Sequence, residues 1–439
     1  MSLAIFNLND ANIQLGLDKD LLRSSPGYAV LNDNDLMIGE LAASNTKLLP
    51  RWTNNRFWSQ LTTAPLQGST SQVRHHADIA FAHLEELWKS VSDKATQALF
   101  VVPGYYSAEN LSLLLGIAKE CGIPIQGVVD SSVLVASSMP LRNNILHLDI
   151  HLHYITLTRL SNDDGNLSRQ SVEVVIETGL ATLLDRWSNI IANQLIQTTR
   201  FDPMHDAHSE QLLFDLLPGW IKDLSDGNMH PFSIATPNAE HSVTISSESL
   251  LRACAPLYSE IVQAIRSEIQ TGETSSLVIS HLFRGFPGLG DSLKLIPEIE
   301  VTEIDESKII DSANLHRDQL LSPSDSAINH ILRLETGEEA TSNTLPIGKT
   351  PTHLLWQDKA YAIGGGCKLP VDLSKGPLAE GEAACSIYLR NNELFMEKND
   401  KWQLQINGET PDQIQKLCSG DLISLGKNQV TLITVLSHG

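Results

Sequence analysis

A chain of 439 residues is too long for one ordinary core, so two or three domains are expected. Its 42% hydrophobic residues contain no apolar run long enough to cross a bilayer, which excludes helical membrane spans and fits a globular protein. A formal net charge of −21 repels a phosphate backbone, so nucleic acid is not an expected partner. The five cysteines are odd in number and form no CxxC pair, which argues against a disulfide framework or cysteine zinc site and for a reducing cytoplasm. The opening MSLAIFNLNDANIQ has neither a basic region nor a small-residue cleavage site, so no signal peptide is expected.

Residues 3–17 alternate apolar and polar and predict a strand pair turning near Asn9-Asp10, followed by a hairpin over 28–41 turning at Asn32-Asp33-Asn34. A loop over 62–74 leads to a helix from Ala77 to Val91. Ala98–Val102 is a continuously apolar strand broken by Pro103-Gly104, and Ser107 caps a helix with Leu111, Leu114, Leu115 and Ala118 on one face. Gly122 stops that helix and Ile123–Val129 returns as a strand, the βαβ signature of a buried parallel sheet. Asp130 caps a small-residue helix through Ser138, a long strand or hairpin covers 144–160, and a third strand covers 171–177. Gly179 opens a long amphipathic helix; residues 200–245 read as polar and irregular with one helix near 208–224. A helix over 247–269, a strand over 276–280, a short helix, a strand over 298–304 and a helix over 307–320 complete the unit. Beyond Ser322-Pro323-Ser324 the pattern changes to short alternating strands, the signal of an all-β sandwich or barrel. The expected division is 1–321, a linker over 322–345, and 346–439.

The segment VVPGYYSAENLSLLLGIAKECGIPIQGVVDSSVLVASS at 101–138, the strand ILHLDIHLHYITL at 145–157, the helix TISSESLLRACAPLYSEIVQAIRSEI and the loop SLVISHLFRGFPGLGDSL follow one another in an order that resembles the nucleotide-binding domain of DnaK-type chaperones in the actin superfamily. The resemblance covers about residues 3–320 and implies an α/β, actin-like ATPase fold of two lobes that binds ATP and Mg²⁺. In that family, glycine-rich hairpins cradle the phosphates with backbone N–H groups, because only glycine permits the close approach and the positive φ. The family's DLGTTN reads NLNDAN here, with Asn7 for the aspartate and Asn9 for the glycine; DLGGGTFD reads DIHLHYIT, which keeps Asp149 but puts His151, Leu152 and His153 for three glycines. The adenosine loop GGSTRIP reads SHLFRGF, with Ser280 and His281 for both glycines. Three loops are thus altered together, and the metal-binding charge falls. Phosphoryl transfer needs both positioning and Mg²⁺, so the sequence leads us to expect a non-catalytic pseudo-ATPase without bound ATP or Mg²⁺, its vestigial cleft formed by Asn7, Asn9, Asp149, His151, His153, Ser280 and His281. The alternative is a divergent, ATP-binding chaperone with weak turnover. His147, Asp149, His151 and His153 alternate, so on one strand they would share a face with zinc-type ligands. Their spacing along such a strand, about 6.5–7 Å, is awkward for one ion, and space filling is the favoured reading.

IGGGCKLPVDL at 363–373 and INGETPDQIQKLCSGDLISLGKNQVTLITV at 406–435 resemble a forkhead-associated (FHA) domain over about 340–437, through Asn407-Gly408, Leu417, Gly420-Asp421, Ile423 and Leu425-Gly426. That family grips phosphothreonine through an arginine, by charge-assisted forked hydrogen bonds, and a serine. Gly365 occupies the arginine's position, and only Ser386 and Arg390 stand near the serine's segment. The expectation is a cytoplasmic, protein-binding scaffold or regulator whose protein partner the sequence does not name, with no membrane and no nucleic-acid partner.

Overall fold

The computed structural model describes residues 2–32, 35–66, 73–163, 165–224, 229–237, 239–269, 274–322 and 328–336, and most of 351–433, omitting 357–358, 365, 372–375, 379–380, 391–392, 400, 408–409, 412, 418–420 and 426–427. The chain divides into two compact units, Met1–Ser342 and Asn343–Gly439. Among the described residues no helix is long and apolar enough to cross a membrane.

The larger unit is mixed α/β. Its first sheet starts as an antiparallel meander of β1 (Ser2–Asn7), β2 (Ile13–Leu17) and β3 (Asp20–Ser25). A small sheet of β4 (Ala29–Asn32), β5 (Asp35–Ile38) and β6 (Thr53–Asn54) surrounds α1 (Gly39–Ala43). After α2 (His76–Lys89), β7 (Ala95–Val102) lies parallel to β1; α3 (Ala108–Glu120) then crosses over to β8 (Ile125–Asp130), parallel to β7. The short helix α4 (Ser131–Ala136) follows.

The second sheet repeats this plan. β9 (Asn144–Ile150), β10 (Ile155–Asp163) and β11 (Asn166–Ile176) form an antiparallel meander. Three helices and a hairpin intervene: α5 (Leu180–Thr199), α6 (Ala207–Lys222), β12 (Met229–Ala235) with β13 (Glu240–Ser246), and α7 (Ser247–Glu268). Then β14 (Ser275–Ile279) lies parallel to β9, and after α8 (Leu289–Lys294), β15 (Ile299–Glu303) lies parallel to β14. The helices α9 (Lys308–Leu315) and α10 (Arg317–Leu320) follow. Finally β16 (His330–Ile331) joins β8 at the edge of the first sheet, and β17 (Arg333–Glu335) joins β11 at the edge of the second. The strand orders are therefore β16-β8-β7-β1-β2-β3 and β15-β14-β9-β10-β11-β17.

Period-two alternation sorts the strand side chains between layers. On β1, Ala4 and Phe6 enter a core with residues of α2 and α3, whereas Leu3 and Ile5 face a second core shared with α4, α9 and residues of β10 and β14. On β9, Leu146, Leu148 and Ile150 face a third core with α5 and α7. The small residues of α4 suit its place between two sheets, where all six of its residues are buried.

Three expectations change. The segment 200–245 is not irregular: beside α6 it holds the β12–β13 hairpin, masked in sequence by polar residues and by Pro231. β3 extends the first meander, its pattern hidden because it is a half-exposed edge strand. The expected linker contributes β16 and β17, with Leu334 buried at 4% exposure, so the body reaches beyond residue 321. The turn residues Asp33 and Asn34 and the boundary residues Pro323 and Ser324 lie outside the described residues.

The smaller unit is all-β. One antiparallel sheet runs β19-β18-β26-β25-β23, from β18 (His353–Trp356), β19 (Lys359–Ala362), β23 (Gln405–Ile406), β25 (Leu422–Leu425) and β26 (Asn428–Ile433). The other runs β20-β21-β22-β24, from β20 (Gly366–Pro370), β21 (Ala383–Arg390), β22 (Glu393–Lys398) and β24 (Ile414–Leu417). Both supply one core, including Leu354, Ile387, Met396, Leu417, Ile423 and Leu432. Asn407, in the left-handed region at φ 54°, accepts from Leu422 N and donates to Asp421 Oδ1, both at 2.9 Å, which fixes the turn after β23 to the start of β25. Gly365, Gly408, Gly420 and Gly426 lie outside the described residues.

Candidate functional site

The turn after β1 and the turn after β9 meet. Asn9 Nδ2 donates to Asp149 Oδ2 at 3.1 Å and to the Ile150 carbonyl at 3.0 Å. Asp10 Oδ1 accepts from the Leu152 amide at 2.8 Å. These three bonds join segments about 140 residues apart in sequence.

Several backbone amides around this junction are committed to protein acceptors. Ala11 N donates to Asn9 Oδ1 at 3.0 Å and Asn12 N to the Asn9 carbonyl at 3.0 Å. His151 N closes its turn on the Tyr154 carbonyl at 2.8 Å. At the start of α5, Leu180 N and Ala181 N donate to the carbonyls of His151 and Leu152 at 2.9 and 3.1 Å, which satisfies donors that a helix start otherwise leaves open. Gly179 permits this contact. A Cβ there would lie 2.3 Å from the His151 carbonyl oxygen and 2.4 Å from the Leu152 carbonyl group. Gly179→Ala is expected to lower unfolding free energy by about 2–3 kcal/mol, since the clash is with backbone and cannot relax by a side-chain rotation; urea denaturation measures it.

The residues singled out in sequence divide into two groups. Asn9, Asp149 and His151 come together: His151 Nε2 lies 3.3 Å from Thr156 Oγ1 and 3.9 Å from Asp149 Oδ2, while Nδ1 lies 4.0 Å from Asp10 Oδ1. The others have separate partners. Asn7 donates to Gln14 Oε1 at 3.1 Å. His153 Nε2 meets the Asn55 carbonyl at 2.9 Å, and burial holds its pKa below the ordinary histidine value. Ser280 N pairs with the Leu148 carbonyl at 3.0 Å, extending β14, and its hydroxyl caps the short 3-10 turn His281–Phe283. His281 Nε2 is buried without a hydrogen bond among the described residues, and burial lowers that imidazole's pKa as well.

The shared face expected for His147, Asp149, His151 and His153 does not form. β9 ends at Ile150, so alternation stops before the last two histidines. His147 Nδ1 instead meets Ser132 Oγ at 2.8 Å, on the side of α4. Among the described residues no group of three or more His, Cys, Asp or Glu side chains is arranged to hold a metal.

Two participants went unnoticed in the sequence. Asp10 is wholly buried, and desolvation raises its pKa against the opposing pull of His151. Tyr105 packs edge-on to His151 with ring centroids 4.9 Å apart and lies 5.5 Å from Tyr154. The resemblance of NLNDAN points to Asn7 and Asn9, yet Asp10, the only ionisable residue of that segment, is the obvious candidate once burial is known. No family model and no curated protein matches the chain.

Proposed function

We infer that the larger unit is a DnaK-type, actin-like body that has given up nucleotide chemistry, and that the whole chain acts as a cytoplasmic protein-interaction scaffold or regulator with an FHA-like second module. The repeated sheet plan supports the fold reading: each sheet is a three-stranded meander followed by two parallel strands. Two antiparallel sheets over one core support the FHA-like reading of the smaller unit.

The observation that carries the functional reading is the direct bonding of the two turns. A phosphate held between such turns needs their amides pointing at it. Here the Leu152 amide points at Asp10, and those of Ala11, Asn12, His151, Leu180 and Ala181 are bonded within the protein. Asp10 adds a buried carboxyl group where a phosphate anion would have to approach, so these residues do not fit Mg-ATP. A protein-binding role needs no such site and uses the outer surface of both units. In a phosphate-release assay with Mg-ATP, the intact protein is expected to give the same background rate as Asp149→Ala. Turnover that this substitution abolishes would instead favour the divergent chaperone.

A further inference from the structure

A pocket of about 180 Å³ opens beside the turns, between α5, α6 and the loop after β14. Its walls are mostly apolar: Leu184 and Trp187 of α5, Ile221 of α6, and Phe286. Trp187 is wholly buried at the back of this wall and meets Phe286 edge to face at 5.1 Å, while Leu180, Leu282 and the edge of Phe286 present carbon to the cavity. Gly285 shapes it. With φ at +78°, and with a Cβ position only 1.9 Å from the Ile221 carbonyl oxygen, no other residue lets the loop lie so close to the end of α6. An apolar cavity of about 150 Å³ takes a benzene ring. The present volume takes one ring.

The lining also holds both signs of charge. Arg284 is committed to Glu303 and Asp305 at 2.8 and 3.2 Å. Lys222 and Glu306 line the same pocket, and neither side chain has a hydrogen bond or ion pair among the described residues. One ammonium, one carboxylate and an apolar wall match a small zwitterion with an apolar side chain. We propose that this pocket binds a free α-amino acid bearing an aromatic or large aliphatic side chain, its carboxylate on Lys222, its ammonium on Glu306 and its side chain against Leu180, Leu282 and Phe286. The site goes beyond the scaffold reading, which stands whether or not a small molecule occupies the pocket.

Calorimetric titration of the full chain with L-phenylalanine tests it, with phenethylamine and phenylacetate as probes lacking one charge each. L-Phenylalanine is expected to bind saturably, and each single-charge probe about fivefold more weakly, the size of one exposed ion pair. Lys222→Met should weaken L-phenylalanine to the level of phenethylamine and leave phenethylamine unchanged, while Leu184→Trp, in a chain whose far-ultraviolet spectrum is preserved, should abolish binding of all three. Absence of saturable L-phenylalanine binding, equal affinity for the three probes, or insensitivity to both substitutions would overturn the assignment. Because Mg-ATP is titrated separately, failure here leaves the pseudo-ATPase reading untouched.

Discussion

Asp130→Ala is expected to lower the unfolding free energy by about 3–5 kcal/mol, among the largest losses of any single substitution in the body. Asp130 is fully buried at the junction of β8 and α4. Its Oδ1 accepts from the amides of Ser132 and Val133 at 2.9 and 3.2 Å, capping α4. Its Oδ2 accepts from Arg169 Nη1 at 2.6 Å, and that same nitrogen donates to the Gly104 carbonyl at 3.3 Å. Asp130 leaves the first sheet and Arg169 belongs to β11 of the second, so one carboxylate caps the helix between the sheets and ties the sheets together. Alanine removes the cap, worth about 1 kcal/mol, and leaves a largely buried guanidinium without its anion. Asp130→Asn keeps an oxygen for the cap and should lose roughly half as much by the same reasoning. Urea denaturation of the three proteins decides it; a loss under about 1 kcal/mol for alanine would show that the pair contributes little.

Acidification from pH 7.5 to pH 5 is expected to destabilise the protein steeply. Burial lowers the pKa of His83, His147, His153, His281, His316 and His330. For His83 the value falls to about 3, with the Arg23 charge adding to burial. Its ring is fixed as a neutral tautomer: Trp58 Nε1 donates to Nδ1 at 3.2 Å, which leaves Nε2–H for Ser25 Oγ at 2.8 Å. An unfolded histidine takes up its proton near pH 6.5. The folded groups do so only at lower pH, so the unfolded state binds more protons and stability falls as pH drops below about 6.5. For His83 the loss continues down to about pH 3. At pH 5 His83 alone accounts for about 2 kcal/mol, one and a half units at 1.36 kcal/mol each. Asp10 and Asp215, whose pKa values burial raises, act in the opposite sense. Urea melts at half-unit pH steps should show this slope, and His83→Gln should flatten it. A pH-independent midpoint between 5 and 7 would contradict the burial of these imidazoles as neutral rings.

Much of the framework was legible because it rests on local physics. The apolar run before Pro103, the cap at Ser107 and the stop at Gly122 read directly as β7, α3 and β8, and the structure places the Ser107 hydroxyl on Asn110 N at 3.2 Å. Asp130 was legible as a cap but not as Arg169's partner, since that bond joins residues 39 apart on different sheets. The hairpin of β12 and β13 was hidden because each strand buries only two apolar residues, Phe232 and Ile234 or Val243 and Ile245, and His230 and His241 break the apolar face. At the junction of the turns, the sequence could show side chains where a phosphate-cradling turn needs glycine. It could not show that Leu152 N would find Asp10, because that depends on how two sheets pack.

The closure of the two turns is the central claim, and calorimetric titration of the intact protein with Mg-ATP tests it most directly. We expect no saturable heat at nucleotide concentrations up to about 1 mM, which corresponds to a binding free energy weaker than about 4 kcal/mol. Saturable binding in the micromolar range, lost in an Asp149→Ala protein that remains folded, would mean that the bonds of Asn9 and Asp10 across the junction open to admit the phosphates, and would contradict the account.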